Sequence, residues 1–204
     1  MITIVISSYK YGHLASHCIE TILAQTKQPE KILFVDDGVG DCFHLKKIYG
    51  DSVEFVFRDK NLGVVENFDD MLKRVQTDRV MFIGADNWLR SDSLEKLSSY
   101  QTDIVTYDIM VTGGFMKNFE ARGEGNVFYQ NGDLYWSRKM VHHGSILYNA
   151  ELGKKVGYSS PKGRFSLEDL NMFNGMIELG ATLSHCPEAL LFYRQHKQNF
   201  NQYT

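Results

Sequence analysis

The sequence predicts an α/β domain in which a central, mostly parallel sheet carries helices on both faces. Three observations lead there. Strand-like and helix-like stretches alternate four times through the first half, the rhythm of parallel strands joined by crossover helices. The strand-like runs are short, β-branched and apolar, as strands buried on two faces must be. Each ends abruptly in polar residues, and three of the first four ends are acidic.

The elements follow in order. "ITIVISSY" is a buried strand, and "HLASHCIETILAQT" is a helix with Leu14, Cys18, Ile19, Ile22 and Leu23 on one face. "KILFVDDG" is a second strand closed by two carboxylates and a glycine. "DCFHLKKIYG" fits a short helix ending at Gly50, and "VEFVFR" a third strand. "VVENFDDMLKRVQ" spaces Val65, Phe68, Met71, Leu72 and Val75 helically, and "RVMFIG" is the fourth strand. In "SDSLEKLSSY", Ser91 is expected to cap a helix whose first turn carries Asp92. After "DIVTYDIMV" the rhythm breaks. "GGFMKNFEARGEGN" is expected as an excursion or hairpin, and "VFYQNGDLYWS" as two short strands around Asn131-Gly132. Helices return at "NAELGKKVG" and at "SLEDLNMFNGMIELG", closed by Gly180.

The 204 residues suit one domain. Roughly residues 1–102 would form a ligand-binding half and 103–204 a half that decorates it. At 43 % hydrophobic and 13 % aromatic residues the composition is that of a folded chain. No apolar run approaches the roughly 20 residues that span a bilayer, and the N-terminus lacks the layout of a signal peptide. Cys18, Cys42 and Cys186 form no pairing framework and are expected as buried thiols in a reducing, cytoplasmic setting. The net charge of −3 offers no footprint for nucleic acid. It also means that an anionic ligand must be neutralised locally.

In such sheets ligands lie beyond the carboxyl ends of the strands. There the sequence places Ser7, Ser8 and Tyr9, then Asp36 and Asp37, then Asp59 to Asn61, then Asp86 and Asn87. "SSY" lacks both the GxGxxG of a dinucleotide site and the GxxxxGK[ST] of a P-loop, which argues against a dehydrogenase and an NTPase. "VDDG" is either an ordinary turn or a carboxylate accepting from a base or ribose. "DKNLGVVEN" suits loop geometry and capping, with Asn67 near a helix start. Asp86 in "GADN" is a cap or a ligand for a divalent cation on a diphosphate, and Ser91 as the cap favours the ligand. Glu168-Asp169 is a capping box with Ser166, or it contains a general base held ionised at a helix N-terminus. His142, His143, Arg194, His196 and Lys197 fit no zinc spacing.

Taken in sequence, these stretches resemble the inverting family 2 glycosyltransferases of GT-A, Rossmann-like fold. "ISSYKY" is similar to the family's first strand and turn, "TILAQT" to its S-x-x-x-Q-T helix end, and "VDDGV" to its V-D-D-G-S. "NLGVVENF" resembles N-x-G-x-x-x-x-N, "FIGADNWL" stands at the metal-binding D-x-D, "HHGS" at the acceptor-side loop, "LED" at the base motif, and "ALLFYRQH" at the terminal L-x-Y-R-x-H. The resemblance implies a UDP-sugar donor, a glycan or other glycoconjugate acceptor, and Mn²⁺ or Mg²⁺. Asp37 would accept from the uracil N–H, with Ser7, Tyr9 and Asn67 lining the nucleotide. Asp86, joined by His196, would hold the metal. Asp169 would be the catalytic base, supported by Glu168. His143, Gly144 and Arg194 would lie toward the sugar and acceptor, Arg194 also near the diphosphate.

The departures are Gly84 and Asn87, where the family keeps acids, and Lys10 and Val39, where it keeps Asn and Ser. A GT-A domain that binds a nucleotide sugar without transferring it is the alternative. A sugar-1-phosphate nucleotidyltransferase would need a Gly-rich basic loop after the first strand, and a phospho-acceptor receiver domain would lack the long second half. Peripheral contact with a membrane stays open, as does a longer polypeptide of which these residues are the catalytic domain.

Overall fold

The structure, a computed structural model, describes residues 1–113, 126–130, 133–137, 146–160, 168–197 and 199. Four strands form its first part: β1 (Ile2–Ser8), β2 (Lys31–Asp36), β3 (Glu54–Phe57) and β4 (Arg79–Gly84). They pair in parallel in the order β3-β2-β1-β4. Alternate residues of each strand point to opposite faces, so a strand apolar throughout feeds two cores. Ile4, Ile6, Phe34, Met81 and Ile83 enter one core, while Val5, Leu33, Val35, Val80 and Phe82 enter the other. The first core is covered by α1 (Ala15–Leu23), α2 (Phe43–Tyr49) and α4 (Ser93–Ser98). The second is covered by α3 (Val64–Lys73), α5 (Ala150–Val156) and α6 (Glu168–Glu178).

The second half extends the same sheet. β9 (Ile146–Asn149) runs antiparallel to β4 and also to β6 (Ile104–Thr112), which turns β6 parallel to β4 again. β10 (Leu183–Arg194) pairs in parallel with β6, and the short β5 (Trp88–Leu89) closes the edge antiparallel to β10. β7 (Asn126–Gln130) and β8 (Asp133–Ser137) form the hairpin expected around Asn131-Gly132, and β8 leans on β6. Residues 114–125 of the expected excursion lie outside the described residues. All three cysteines are free and buried.

One expected cap is corrected. Helix α4 begins at Ser93 with Asp92, not Ser91, at the N-cap, and no side chain of the cap itself bonds back. Asp92 is drawn away by the Arg90 guanidinium. The orphan donor at Leu94 N is met instead by Gln25 Oε1 at 3.1 Å. Gln25 Nε2 in turn donates to Thr21 O at 3.0 Å and Arg90 O at 2.7 Å. A buried amide from the end of α1 therefore caps a helix 69 residues away. Gln25→Ala should lower unfolding free energy by about 2 kcal/mol, since it strands the buried Leu94 N–H and removes the bonds to the Thr21 and Arg90 carbonyls, whereas Ser91→Ala should change it by less than about 0.5 kcal/mol. Guanidinium denaturation of the two variants measures the contrast.

Candidate active site

Register levels the carboxyl ends of the parallel strands. Ser7 pairs with Gly84, Ser8 with Asp36, and Asp36 with Phe57. The ladder continues one residue further, with Asp37 N donating to Ser8 O at 2.9 Å, Ala85 N to Ser7 O at 2.9 Å and Arg58 N to Asp36 O at 3.1 Å. The residues immediately beyond are thus set side by side on one rim, where the exposed backbone of a parallel sheet faces a ligand.

On the β2–β3 side, Ser7, Asp37 and Asn67 are joined into one network by Arg58. The Arg58 side chain is 9 % exposed. Its Nη2 donates to Asn67 Oδ1 at 2.9 Å and pairs with Asp70 Oδ2 at 2.9 Å. Its Nε lies 3.2 Å from Asp37 Oδ1, an ion pair too oblique for a hydrogen bond. Asn67 Nδ2 donates to Ser7 Oγ at 3.2 Å. Asp37 Oδ1 also accepts from Leu62 N at 3.1 Å. Burial pushes the Asp37 carboxyl above its ordinary value, while the Leu62 N–H and the Arg58 charge pull it back. Gly38 lets the loop close here. It sits at φ +80°, and a Cβ would come within 2.2 Å of the Lys60 backbone. Arg58, Asp59, Lys60 and Leu62 line an open cleft of about 520 Å³.

On the β4–β10 side the structure brings together Asp86, Arg194 and His196. Asp86 is buried, and its Oδ2 lies 3.1 Å from His196 Nε2 and accepts from Asn199 Nδ2 at 3.1 Å. Arg194 Nε donates to the Asp86 carbonyl at 2.9 Å, its backbone N to Asn87 Oδ1 at 2.9 Å, and its guanidinium lies 4.7 Å from the centre of the Trp88 ring. Asn87, which replaces a family acid, therefore ties β4's end to β10. Gly84 has an equally direct reason. A Cβ there would stand 2.6 Å from Asp86 Oδ1, so the glycine makes room for the one carboxylate that remains. His13, Leu14, Arg194, His196 and Lys197 line a second cleft, of about 340 Å³.

Among the described residues, two groups could hold a cation. Asp36, Asp41 and Cys42 place ligand atoms within 4.8 Å of one another. Their carboxylates are already engaged in holding the turn, however. Asp36 accepts from the backbone N–H of Val39, Gly40 and Cys42 at 3.0, 3.0 and 3.3 Å. Asp41 accepts from Gly12 N at 2.9 Å and from the Cys42 thiol at 3.3 Å. Burial pushes that thiol up to about 12, so it stays protonated. This cluster locks the turn after β2. Asp86 is better suited: its Oδ1 has no hydrogen-bond partner among the described residues, and an imidazole and an amide flank it. One carboxylate and one imidazole would leave the remaining positions of a divalent ion to other oxygen ligands.

Glu168 and Asp169 form the first turn of α6, and Asp169 Oδ1 accepts from Leu170 N at 2.7 Å. The Tyr158 hydroxyl nearby is pushed well up by burial, and the Asp169 and Glu168 charges add to it. Ser166, the other half of the expected capping box, lies outside the described residues, as do His143 and Gly144. Tyr9 is 43 % exposed and takes no part in the bonded network; Lys10 Nζ stands 4.9 Å from its ring centre. The sequence reading missed Arg58 and Asn199. A guanidinium directly after the apolar "FVF" at the end of a strand was a usable signal for the first; the second had none, because it reaches Asp86 only through the turn after β10.

Comparison with known proteins matches this architecture. The family model described as Glycosyl transferase family 2 covers residues 3–157. A glycosyltransferase, GlyA of Streptococcus pneumoniae serotype 4, is 25 % identical over 159 residues, 72 % of this chain and 21 % of its own length. The crystal structure of S. aureus TarS 1–349 in complex with UDP-GlcNAc superposes with a TM-score of 0.74 at 14 % identity, covering all of this chain and 61 % of that one. The same fragment in complex with UDP gives 0.73 at 15 % identity over 98 % of this chain and 62 % of that one. The chain thus spans about a fifth of GlyA and three-fifths of the TarS fragment. With the matched family model spanning three quarters of its residues and the fold matched end to end, the chain belongs to glycosyl transferase family 2 and has the GT-A fold.

Proposed function

We propose that the chain transfers a hexose from a UDP-sugar to a hydroxyl of a glycan or related acceptor, by a single displacement with inversion. The observation that carries this reading is the pairing of Ser7 with Gly84, which sets the Ser7–Asn67–Arg58–Asp37 network beside the Asp86–His196–Arg194 cluster. A polar network thus adjoins a carboxylate flanked by an imidazole and a guanidinium. The relatives support the donor class, since one solved neighbour is a complex with UDP-GlcNAc.

In this reading Asp37 Oδ2 accepts from the uracil imide, and Ser7, Asn67 and Tyr9 line the base and ribose. Asp86 and His196 would hold Mn²⁺ or Mg²⁺, which supplies positive charge to the diphosphate leaving group. Arg194, fixed by the Asp86 carbonyl and the Trp88 face, brings a second, permanent charge to the same oxygens. An acidic protein thereby handles a diphosphate through local cations. Asp169, in the first turn of α6, takes the proton of the acceptor hydroxyl. That oxygen forms its bond to the anomeric carbon as the bond to the diphosphate oxygen breaks on the opposite face. Glu168 supports the base, and His143 and Gly144 belong to the sugar and acceptor side.

Asp169→Asn should lower transfer by about a thousandfold, within the range of a positioned general base, while leaving the Kd for UDP within about twofold. Transfer assayed with UDP-sugars and calorimetry with UDP separate the two; retained transfer would exclude this base. Asp86→Ala should abolish most of the gain in UDP affinity that Mn²⁺ confers, about tenfold for the loss of a sole carboxylate ligand. Titrations with and without Mn²⁺ check this, and an undiminished metal-dependent gain would remove Asp86 from the site. UDP binding in wild type with no transfer to any acceptor would favour the non-catalytic alternative.

A further inference from the structure

Among the residues of the nucleotide recess, Arg58 is the one through which the others are connected, and its chemistry fixes their polarity. A guanidinium only donates. The amide oxygen of Asn67 must therefore face Arg58, at 2.9 Å, and the amide nitrogen must face Ser7, at 3.2 Å. Ser7 Oγ is thereby made the acceptor of that bond, and its hydroxyl proton has no other acceptor among the described residues. Asp37 is held from the opposite side. Its Oδ1 is taken by Leu62 N and the Arg58 ion pair, and its Oδ2 has no partner among the described residues. Asp70 completes the balance of charge, and its carboxyl is held below its ordinary range by Arg74 and Arg58 against the effect of burial.

We propose that Arg58 is a positioning residue for base selection, orienting the recess so that it offers one acceptor, Asp37 Oδ2, and one donor, the Ser7 hydroxyl. The inference rests on the UDP-sugar reading above and adds to it the residue that sets the specificity. A pyrimidine with a protonated ring N3 between carbonyls meets that pattern. Cytosine does not: its N3 is an acceptor and would face the Asp37 carboxylate, and its amino group would face a donor. Without Arg58 the Asn67 amide can turn over, so that Ser7 donates inward to Oδ1 and presents lone pairs to the base. The discrimination would then fade, because a site that bonds a specific group rejects an analogue only while its own groups are locked.

The test is calorimetry of the full chain with UDP and with CDP, both with Mn²⁺. Wild type should bind UDP about tenfold or more tighter than CDP, the value of one well-formed buried hydrogen bond against one misplaced acceptor. Arg58→Lys keeps the charge but cannot reach Asp37, Asn67 and Asp70 at once with a single ammonium. It should bind UDP more weakly, leave CDP nearly unchanged, and narrow the ratio to about twofold. Ser7→Ala touches no ion pair, so it folds independently of the Arg58 network's charge balance, and it too should narrow the ratio, by about fivefold. A loss of packing alone would weaken both nucleotides equally and leave the ratio intact. An unchanged ratio in folded Arg58→Lys, or in Ser7→Ala should Arg58→Lys fail to fold, overturns the proposal. Equal binding of UDP and CDP by wild type overturns it too, but leaves the nucleotide-sugar reading standing. No binding of UDP by wild type sinks that reading instead.

Discussion

The parallel register of β1 with β2 and β4 is the constraint on which the rest depends. It places Ser7 opposite Val35 and Gly84, so the chain leaves three adjacent strands at one level. A slip by one residue would turn Ile4 and Ile6 from one core into the other and carry every rim side chain to the wrong face. Two apolar cores, one on each side of the sheet, hold the register against such a slip. The candidate site is therefore built from the stability of the sheet's centre, not from the loops that line it.

That rim is chemically divided. Toward β2 and β3 the polar groups are locked by Arg58 into fixed donor and acceptor directions. Toward β10 they are cationic or paired with Asp86. The stretch Gly84-Ala85-Asp86-Asn87, with its single acid, has a structural logic in this arrangement. Gly84 leaves space for the Asp86 carboxylate, and Asn87 binds the backbone of Arg194, so both departures from acid serve to position what remains. A second carboxylate at position 84 could not occupy that space without displacing Asp86. Under the proposed function, Arg194 provides charge that a fuller acidic motif would have supplied through its ion, and His196 offers a neutral imidazole beside Asp86.

Much of this was legible in the sequence for identifiable reasons. The strands of the first half could be placed because apolar runs buried on both faces stop sharply at polar ends, and Asp37, Asp86 and Ser7 were singled out because they stand at those ends. The hairpin around Asn131-Gly132 carried its own turn chemistry. Other features depend on contacts far apart in the chain. Ser91 looked like the cap of α4, yet Gln25 caps it from 69 residues away. β5 is two residues long and exists only because β10 pairs with it. Asn199 reaches Asp86 across 113 residues of sequence, which no local pattern encodes. Arg58 lay between these cases, its position readable at a strand end but its three partners not.

The central claim is that a nucleoside diphosphate lies across this rim, base toward Arg58 and phosphates toward Arg194. A crystal structure of the chain with UDP and Mn²⁺ tests it most directly. The uracil ring should lie against Asp37 and Ser7, with the diphosphate and metal between Asp86, His196 and Arg194. UDP bound in the reverse orientation, or away from the carboxyl ends of β1 and β4, would contradict it.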